Sequence, residues 1–414
     1  MHRSLVLLGL WGWSLGCAAS GRSAGAAPPG SVRPGIEVLL ADSMSLVRGR
    51  RVGLVTNQAG VDASGISDVV RLRAAGVGLV ALFSPEHGFR GLAEPGEAVA
   101  SSVDSATGLP IYSLYGRTSA PTPEMLSGVD VMLVDLQDVG ARYYTWLYTT
   151  IEVMKAAGRS GVPVVVLDRP NPIGGLVQGN VLEPAFITTV GQLAVPMRHG
   201  MTLGELARLA AADLAIAVDL SVVPVAGWSR TVPLDRTGLP FIPPSLNLRS
   251  LKSLYHYPGT CLFEGTNLSV GRGSDAAFRQ IGAPWLDTTA VLAWIRNQEL
   301  EGVSFRGVTF TPTRPGDGKY ADTLLYGIRL EVTDRDSYDP TATAVHLLAS
   351  IRTHHGGDLA WIPKHFDRLA GTAVLREAIE GGSEPAVIVR SWGGQLARFN
   401  LRRRPFLLYE DGRS

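Results

Sequence analysis

Residues 130–175, DVMLVDLQDVGARYYTWLYTTIEVMKAAGRSGVPVVVLDRPNPIGG, decide the fold class of this 414-residue chain. Two runs in it, DVMLVDL (130–136) and VPVVVLD (162–168), are apolar throughout their length. A strand with one wet face alternates apolar and polar residues, whereas an unbroken run is covered on both faces, as strands of parallel sheets are. Between the runs, YTWLYTTIEVMKAAG (144–158) has helical spacing and stops on a glycine. Strand, helix, strand is the unit that joins two parallel strands.

The same rhythm extends in both directions. RVGLVTN (51–57), VGLVALF (77–83) and LSVVPV (220–225) read as further strands, and ISDVVRLRAAG (66–76) as a helix. Another helix over 203–217 opens with a capping box, Thr202 and Glu205, and Met201 is placed to staple onto Leu206. The expectation is an α/β protein with an open parallel sheet over residues 34–250. Past residue 250 the rhythm loosens. Helical segments (288–297, 344–352, 373–382) mix with strand-like ones (307–313, 326–332), which predicts a smaller α+β domain over 251–414. No internal repeat is present.

The ends of the chain and its charge narrow the class further. Met1-His2-Arg3, an apolar run from Ser4 to Gly16 and Cys17 after a small residue read as an export signal. The run is too short to span a bilayer, which takes about 20 residues. Lipoprotein processing at Cys17 and plain cleavage both fit, and the sequence favours the lipoprotein. Residues 18–33, rich in Ala, Gly, Ser and Pro, read as a flexible tether. The rest is expected to be soluble and extracytoplasmic, touching a membrane only through that anchor. With Cys17 lipidated or removed, Cys261 is alone and reads as a small buried hydrophobe. A net charge of +1 implies no nucleic-acid partner.

Four predicted strands end in polar clusters: Thr56-Asn57-Gln58, Ser84-Pro85-Glu86-His87, Asp135 to Tyr144 with Asp138, Arg142 and Tyr143, and Asp168-Arg169-Pro170-Asn171. In a parallel sheet these ends share one edge, where ligands bind. Each cluster also has a plain reading: Asn57 and Asn171 as turn formers, Asp168-Arg169 as a local ion pair, His87 as a structural histidine. Glu86 gains most from the edge, because it ends a buried strand on a proline-fixed turn. Arg198-His199-Gly200 precedes the capped helix, whose N-terminus attracts anions. Glu264, Asn267, Arg272 and Asp275 lie among glycines in the second half.

Three chemistries remain open on these residues. A glycosidase needs a carboxylic acid, here Glu86, and usually a second carboxylate, from Asp135, Asp138 or Glu264. A metal-dependent hydrolase would use His87, Asp135, Asp138 and His199, although no zinc-type spacing is present. A two-lobed sugar-binding protein needs no chemistry at all. Phosphate-loop, dinucleotide and serine-elbow patterns are absent.

One family resemblance spans nearly the whole chain after the tether. GLVTNQAG, LFSPEHGFRG, DLQDVGARYYTW, LDRPNPIGG, MRHGMTLGELA, PPSLNL, YPGTCLFEGTNLSVGRGSD, IGAPW, FDRLAGTAVLREAIEGG and RRRPFLLYE resemble segments of the exo-β-N-acetylmuramidases of NamZ type. The resemblance implies a Rossmann-like domain followed by an auxiliary domain, with the active site in the cleft between them. It implies release of N-acetylmuramic acid from the non-reducing end of peptidoglycan-derived muramyl saccharides, without metal or organic cofactor. The family's catalytic glutamate carries over to Glu86, and His87 either tunes it, touches the sugar or holds the turn. The lactyl carboxylate of muramic acid calls for a guanidinium, from Arg272, Arg142, Arg90 or Arg198 in falling order of preference. Asn57, Gln58, Tyr143, Asp168, Asn171, His199, Glu264 and Asn267 complete the expected substrate contacts.

Overall fold

The computed structural model describes residues 31–94 and 96–410. The expected export signal and Cys17 lie outside that range. So does most of the expected tether, but its last residues are folded: Val32 is buried, and Arg33 exchanges backbone hydrogen bonds of 2.9 and 3.0 Å with Ala226.

The first domain is built on a seven-stranded sheet. Its strands are β1 (Arg51–Thr56), β2 (Gly78–Ser84), β3 (Ser102–Val103), β4 (Pro110–Ser113), β5 (Val131–Asp135), β6 (Val164–Leu167) and, after the hairpin β7 (Gln178–Val181) and β8 (Pro196–Arg198), β9 (Leu220–Val223). The order across the sheet is β3-β4-β2-β1-β5-β6-β9, parallel except for β3. The five expected strands all lie in it. Pairing is in step: Val52 to Thr56 of β1 face Val131 to Asp135 of β5, which the one-turn helix α3 (Pro123–Leu126) precedes.

The unbroken apolar runs exist because both faces are covered. Val55, Phe83, Met132, Val134, Val164 and Val166 pack on one face against α4 (Trp146–Arg159) and α5 (Leu203–Asp213). Val52, Leu54, Leu82, Val131, Leu133 and Leu167 pack on the other against α1 (Gly35–Asp42) and α2 (Asp68–Ala74). Alternate residues of one strand therefore serve two cores. Helix α5 carries the expected capping box, with Thr202 and Glu205 each accepting from the other's backbone N–H.

The second domain is α+β, as expected from its mixed segments. A three-stranded antiparallel sheet, β10 (Gln280–Ala283), β12 (Leu325–Val332) and β11 (Val303–Phe310) in that order, carries helices from α6 (Leu251–Thr260) and α7 (Thr288–Ile295) to α8 (Pro340–His354). Four more helices follow, α9 (Pro363–Ala370), α10 (Val374–Glu380), α11 (Pro385–Ser391) and α12 (Gly393–Arg403). The α4–α5 core continues into this domain through Tyr257, Phe263, Phe278 and Ile328. The domains therefore share a core.

The chain runs outward from β1 to β2 and β4, then returns to the other side of β1 as β5. Loops leaving β1 and β5 at the sheet's carboxyl edge thus diverge and open a crevice there.

Candidate active site

Glu86 follows β2 in the turn 85–94, where His87 and Gly88 both take left-handed backbone (φ 69° and 76°). That conformation is unfavourable for histidine and is held by its surroundings. The His87 Nδ1–H donates to the Ala93 carbonyl at 2.9 Å, and its ring meets Trp146 edge-on at 6.0 Å. This partner fixes the proton on Nδ1 of the neutral ring and leaves Nε2 as an acceptor. The Glu86 carboxylate accepts from the Gly96 N–H at 2.9 Å through Oε1 and from the Thr145 hydroxyl at 2.7 Å through Oε2. Thr145 is the N-cap residue of α4, so the carboxylate rests at the positive end of a 14-residue helix.

Around this carboxylate the two domains enclose a cleft of about 460 Å³. The sheet edge supplies Glu86, His87, Tyr115, Tyr143, Tyr144 and Thr145, and the loop after residue 243 supplies Ser245 and Asn247. The second domain supplies Tyr257, Glu264, Arg272, Phe278, Asp317, Lys319, His365 and Arg368. Tyr144, Tyr257 and Phe278 form an edge-to-face aromatic chain across the domain boundary, at 6.2 and 4.8 Å between centroids. Burial and the neighbouring Glu86 charge push the Tyr115 hydroxyl up to about 12, so it stays a hydrogen-bond donor at neutral pH. Backbone strain gathers here too. Phe278 (φ 63°) lines the cleft, and Arg314, Tyr320 and Asp322 (φ 46°, 54° and 55°) lie in the loop that delivers Asp317 and Lys319.

Of the residues singled out in the sequence, the cleft gathers Glu86, His87, Tyr143, Glu264 and Arg272. Tyr143 also donates to the Pro258 carbonyl at 2.8 Å, and Arg272 is clamped by Glu264 at 2.6 Å. The others line no part of it, and all but the exposed Arg90 have a structural duty. Asp135, expected as a second catalytic group, is sealed in an ion pair with Arg169. Arg169 also donates to the Val61 carbonyl at 2.8 Å and lies 3.7 Å from Asp68. This network plugs the crevice between β1 and β5. Asp138 accepts from the Gly140 N–H at 2.7 Å and lies 3.4 Å from His199 Nε2, and His199 Nδ1 accepts from the Met201 N–H. The expected metal set therefore does not converge: His87 stands in the cleft, Asp135 on Arg169, and Asp138 with His199 at a third place.

The remaining expected binding residues stand away from the cleft lining. Arg142 points away from the cleft and donates to the carbonyls of Asn180, Val195, Leu369 and Ala370 at 2.8–3.0 Å, riveting the β7–β8 hairpin to α9. Arg198 is buried against Ile173 and Gln178, and Arg90 is exposed. Asn57 and Asn171 form turns, accepting from the Ala59 and Ile173 N–H groups. Asn267 brackets the backbone of Asp358 and Ala360. Asp168 accepts from Thr202, Gly204 and Tyr409, tying the start of α5 to the chain's end. Gln58 positions the site without lining it. It donates to the Pro243 and Pro244 carbonyls and fills the space where any side chain at position 91 would stand, so Gly91 has no alternative.

Sequence reasoning passed over Tyr115, Ser245, Asn247, Asp317, Lys319, His365 and Arg368. Ser245 and Asn247 lie in PPSLNL and Arg368 in FDRLAGTAVLREAIEGG, two of the segments that carry the family resemblance, and Lys319 stood out as one of four lysines (155, 252, 319, 364) in an arginine-rich chain.

Fold and site together define a two-domain α/β protein with a carboxyl-bearing, aromatic-walled cleft between its domains. Residues 52–252 match the N-terminal domain of exo-β-N-acetylmuramidase NamZ, and residues 255–409 match the C-terminal domain. The chain belongs to the NamZ family of exo-β-N-acetylmuramidases. It is 42% identical over 381 residues, 91% of each chain, to the peptidoglycan β-N-acetylmuramidase NamZ of Bacillus subtilis strain 168. A crystal structure of a DUF1343 family protein from Bacteroides fragilis NCTC 9343 superposes with a TM-score of 0.85 at 33% identity, covering 92% of this chain and all of that one. A second such protein from the same organism gives 0.75 at 31%, covering 92% and 99%.

Proposed function

We propose that this protein is an exo-acting glycoside hydrolase that releases N-acetylmuramic acid from the non-reducing end of peptidoglycan fragments, with Glu86 as its proton donor. The observation that carries the assignment is the Glu86 carboxyl, oriented by Gly96 and Thr145 at the floor of the interdomain cleft, in a chain that matches both NamZ domains. Cleavage of a glycosidic bond needs a carboxylic acid beside the leaving oxygen, held so that its proton is delivered in line. Aromatic walls suit the apolar faces of a sugar ring, and Tyr115, Ser245 and Asn247 offer donors to its hydroxyls and acetamido group. Among the expected second carboxylates only Glu264 lines the cleft, joined there by Asp317, so that role rests with one of these or passes to the substrate's own acetamido oxygen.

The protein acts in this reading outside the cytoplasm, tethered at Cys17. The support is the basic start, short apolar run and cysteine of residues 1–17. The test is incubation with two defined disaccharides, MurNAc-GlcNAc and GlcNAc-MurNAc, followed by chromatography of the products. Cleavage of the first and not the second is expected. Turnover of neither, or of the second alone, overturns the assignment.

A further inference from the structure

Muramic acid differs from glucosamine by one lactyl ether, whose carboxylate is the only charge on the sugar. A hydrolase that selects muramyl ends needs a cation in the cleft that its own acids have not already neutralised. Three long cationic side chains line this cleft, Arg272, Lys319 and Arg368. Arg272 is neutralised by Glu264, whose Oε1 lies 2.6 Å from both its Nε and Nη2. The Lys319 ammonium is surrounded by the carbonyls of Phe263, Glu264, Thr266 and Leu268 at 3.4, 3.1, 2.6 and 3.0 Å. Its three protons are outnumbered by acceptors, and it holds the loop at 311–324 against the segment 263–268 of the same domain.

Arg368, on α9, is different. Among the described residues its guanidinium meets no carboxylate, and its Nε donates to His365 Nδ1 at 3.0 Å. That bond requires Nδ1 to be unprotonated, and burial lowers the His365 pKa, so the ring stays a neutral acceptor. Pinned at Nε, the guanidinium keeps both terminal nitrogens for the fork that a carboxylate fits. It lines the same cleft as Glu86 and Tyr115.

We propose that Arg368, oriented by His365, binds the lactyl carboxylate of the terminal muramyl residue and sets the preference for muramyl over glucosaminyl ends. The inference rests on the muramidase reading above and displaces Arg272 as the expected anchor. Aryl β-glycosides of N-acetylmuramic acid and of its uncharged lactyl amide test it, with wild type, R368Q, R368K and R272Q compared. Wild type is expected to favour the acid over the amide by about 10- to 100-fold in kcat/KM, carried by KM. R368Q is expected to bring that ratio close to one by losing far more turnover of the acid than of the amide, and R368K to keep part of the preference. An unchanged ratio in R368Q, or its loss in R272Q instead, overturns the proposal. If R368Q does not fold, an unchanged ratio in R368K does the same. If wild type hydrolyses neither glycoside, the muramidase reading is what fails. Calorimetry then decides this site by itself: equal affinity of wild type and R368K for free N-acetylmuramic acid refutes it, and weaker binding by R368K supports it.

Discussion

On the β2 side of the sheet's carboxyl edge, Glu86 faces an open cleft; on the β5–β6 side, Asp68, Asp135 and Asp168 face no solvent at all. Glu86, Asp135 and Asp168 stand at or just past the ends of buried parallel strands, and from residue type and position these three are equivalent; Asp68 opens α2 beside them. What separates them is the space above each strand. Over β2 and β4 the covering layer comes from the second domain and stands off, leaving a cavity. Over β5 and β6 the first domain fills its own crevice with Arg169 and with the N-terminus of α5. A carboxylate sealed from solvent by a cation or helix N-terminus holds the fold together. A carboxylate that takes neutral donors at a helix N-terminus and is left facing a cavity is available for chemistry.

Exchanging acid for amide on each side of the edge sharpens this contrast. Glu86→Gln keeps the shape and the Gly96 contact but removes the proton. Hydrolysis of a muramyl glycoside is expected to fall by about 10²- to 10⁴-fold, with the melting temperature unchanged within error. Activity near wild type in that variant breaks the comparison at its functional end. Asp135→Asn is the mirror experiment. It leaves Arg169 without its close partner in a site closed to water, which for a buried pair costs about 3–5 kcal/mol. The lower figure applies here, because Asp68 stands 3.7 Å away and can take over the guanidinium. Burial and the Asp135 charge hold the Asp68 pKa well above the usual carboxylate range, against the pull of Arg169, so removing Asp135 also eases its ionisation. The expected outcome is a lower denaturation midpoint and an intact kcat below the transition. Loss of kcat in fully folded Asp135→Asn protein would place that residue back among the catalytic groups.

The same contrast explains what the sequence disclosed and what it did not. β1, β2, β5, β6 and β9 were legible because a doubly covered strand prints an unbroken apolar run. α4 and α5 were legible from their period and, for α5, from its capping box. β4 escaped because Pro110-Ile111-Tyr112-Ser113 is four residues long with one fully buried apolar side chain. The β7–β8 hairpin escaped because β7, Gln178-Gly179-Asn180-Val181, has no alternation. At the site, Glu86 was legible since its strand, its proline and its turn are local. The duties of Asp135 and Arg142 were not, because their partners are remote. Arg169 lies 34 residues from Asp135, and the four carbonyls that hold Arg142 are 38, 53, 227 and 228 residues away. Arg368 was overlooked for the same reason: a lone Arg on a short helix says nothing until the other domain is placed opposite it.

Asp168 gives the smallest effect and the finest division of the edge. Burial raises its pKa to about 6, outweighing the hydrogen bonds it accepts from Thr202, Tyr409 and the Gly204 N–H, while Glu205 adds to the rise. A carboxyl whose folded pKa exceeds its unfolded value, about 3.9, binds more protons when folded. Its contribution to stability is therefore fully present below about pH 4, and is lost as the pH rises through about 6. A carboxyl that holds its proton to a pH about two higher when folded contributes roughly 3 kcal/mol in this way. Asp168→Asn removes the titration and keeps an acceptor for Thr202 and Tyr409. The wild-type stability advantage over this variant, measured by denaturant unfolding, is expected to shrink between pH 4 and pH 6 and to level off above. A constant difference between wild type and Asp168→Asn across pH 4–6 would show that the three donors, and not burial, set the charge of this aspartate. The sealed half of the edge would then be held by a carboxylate ionised throughout that range.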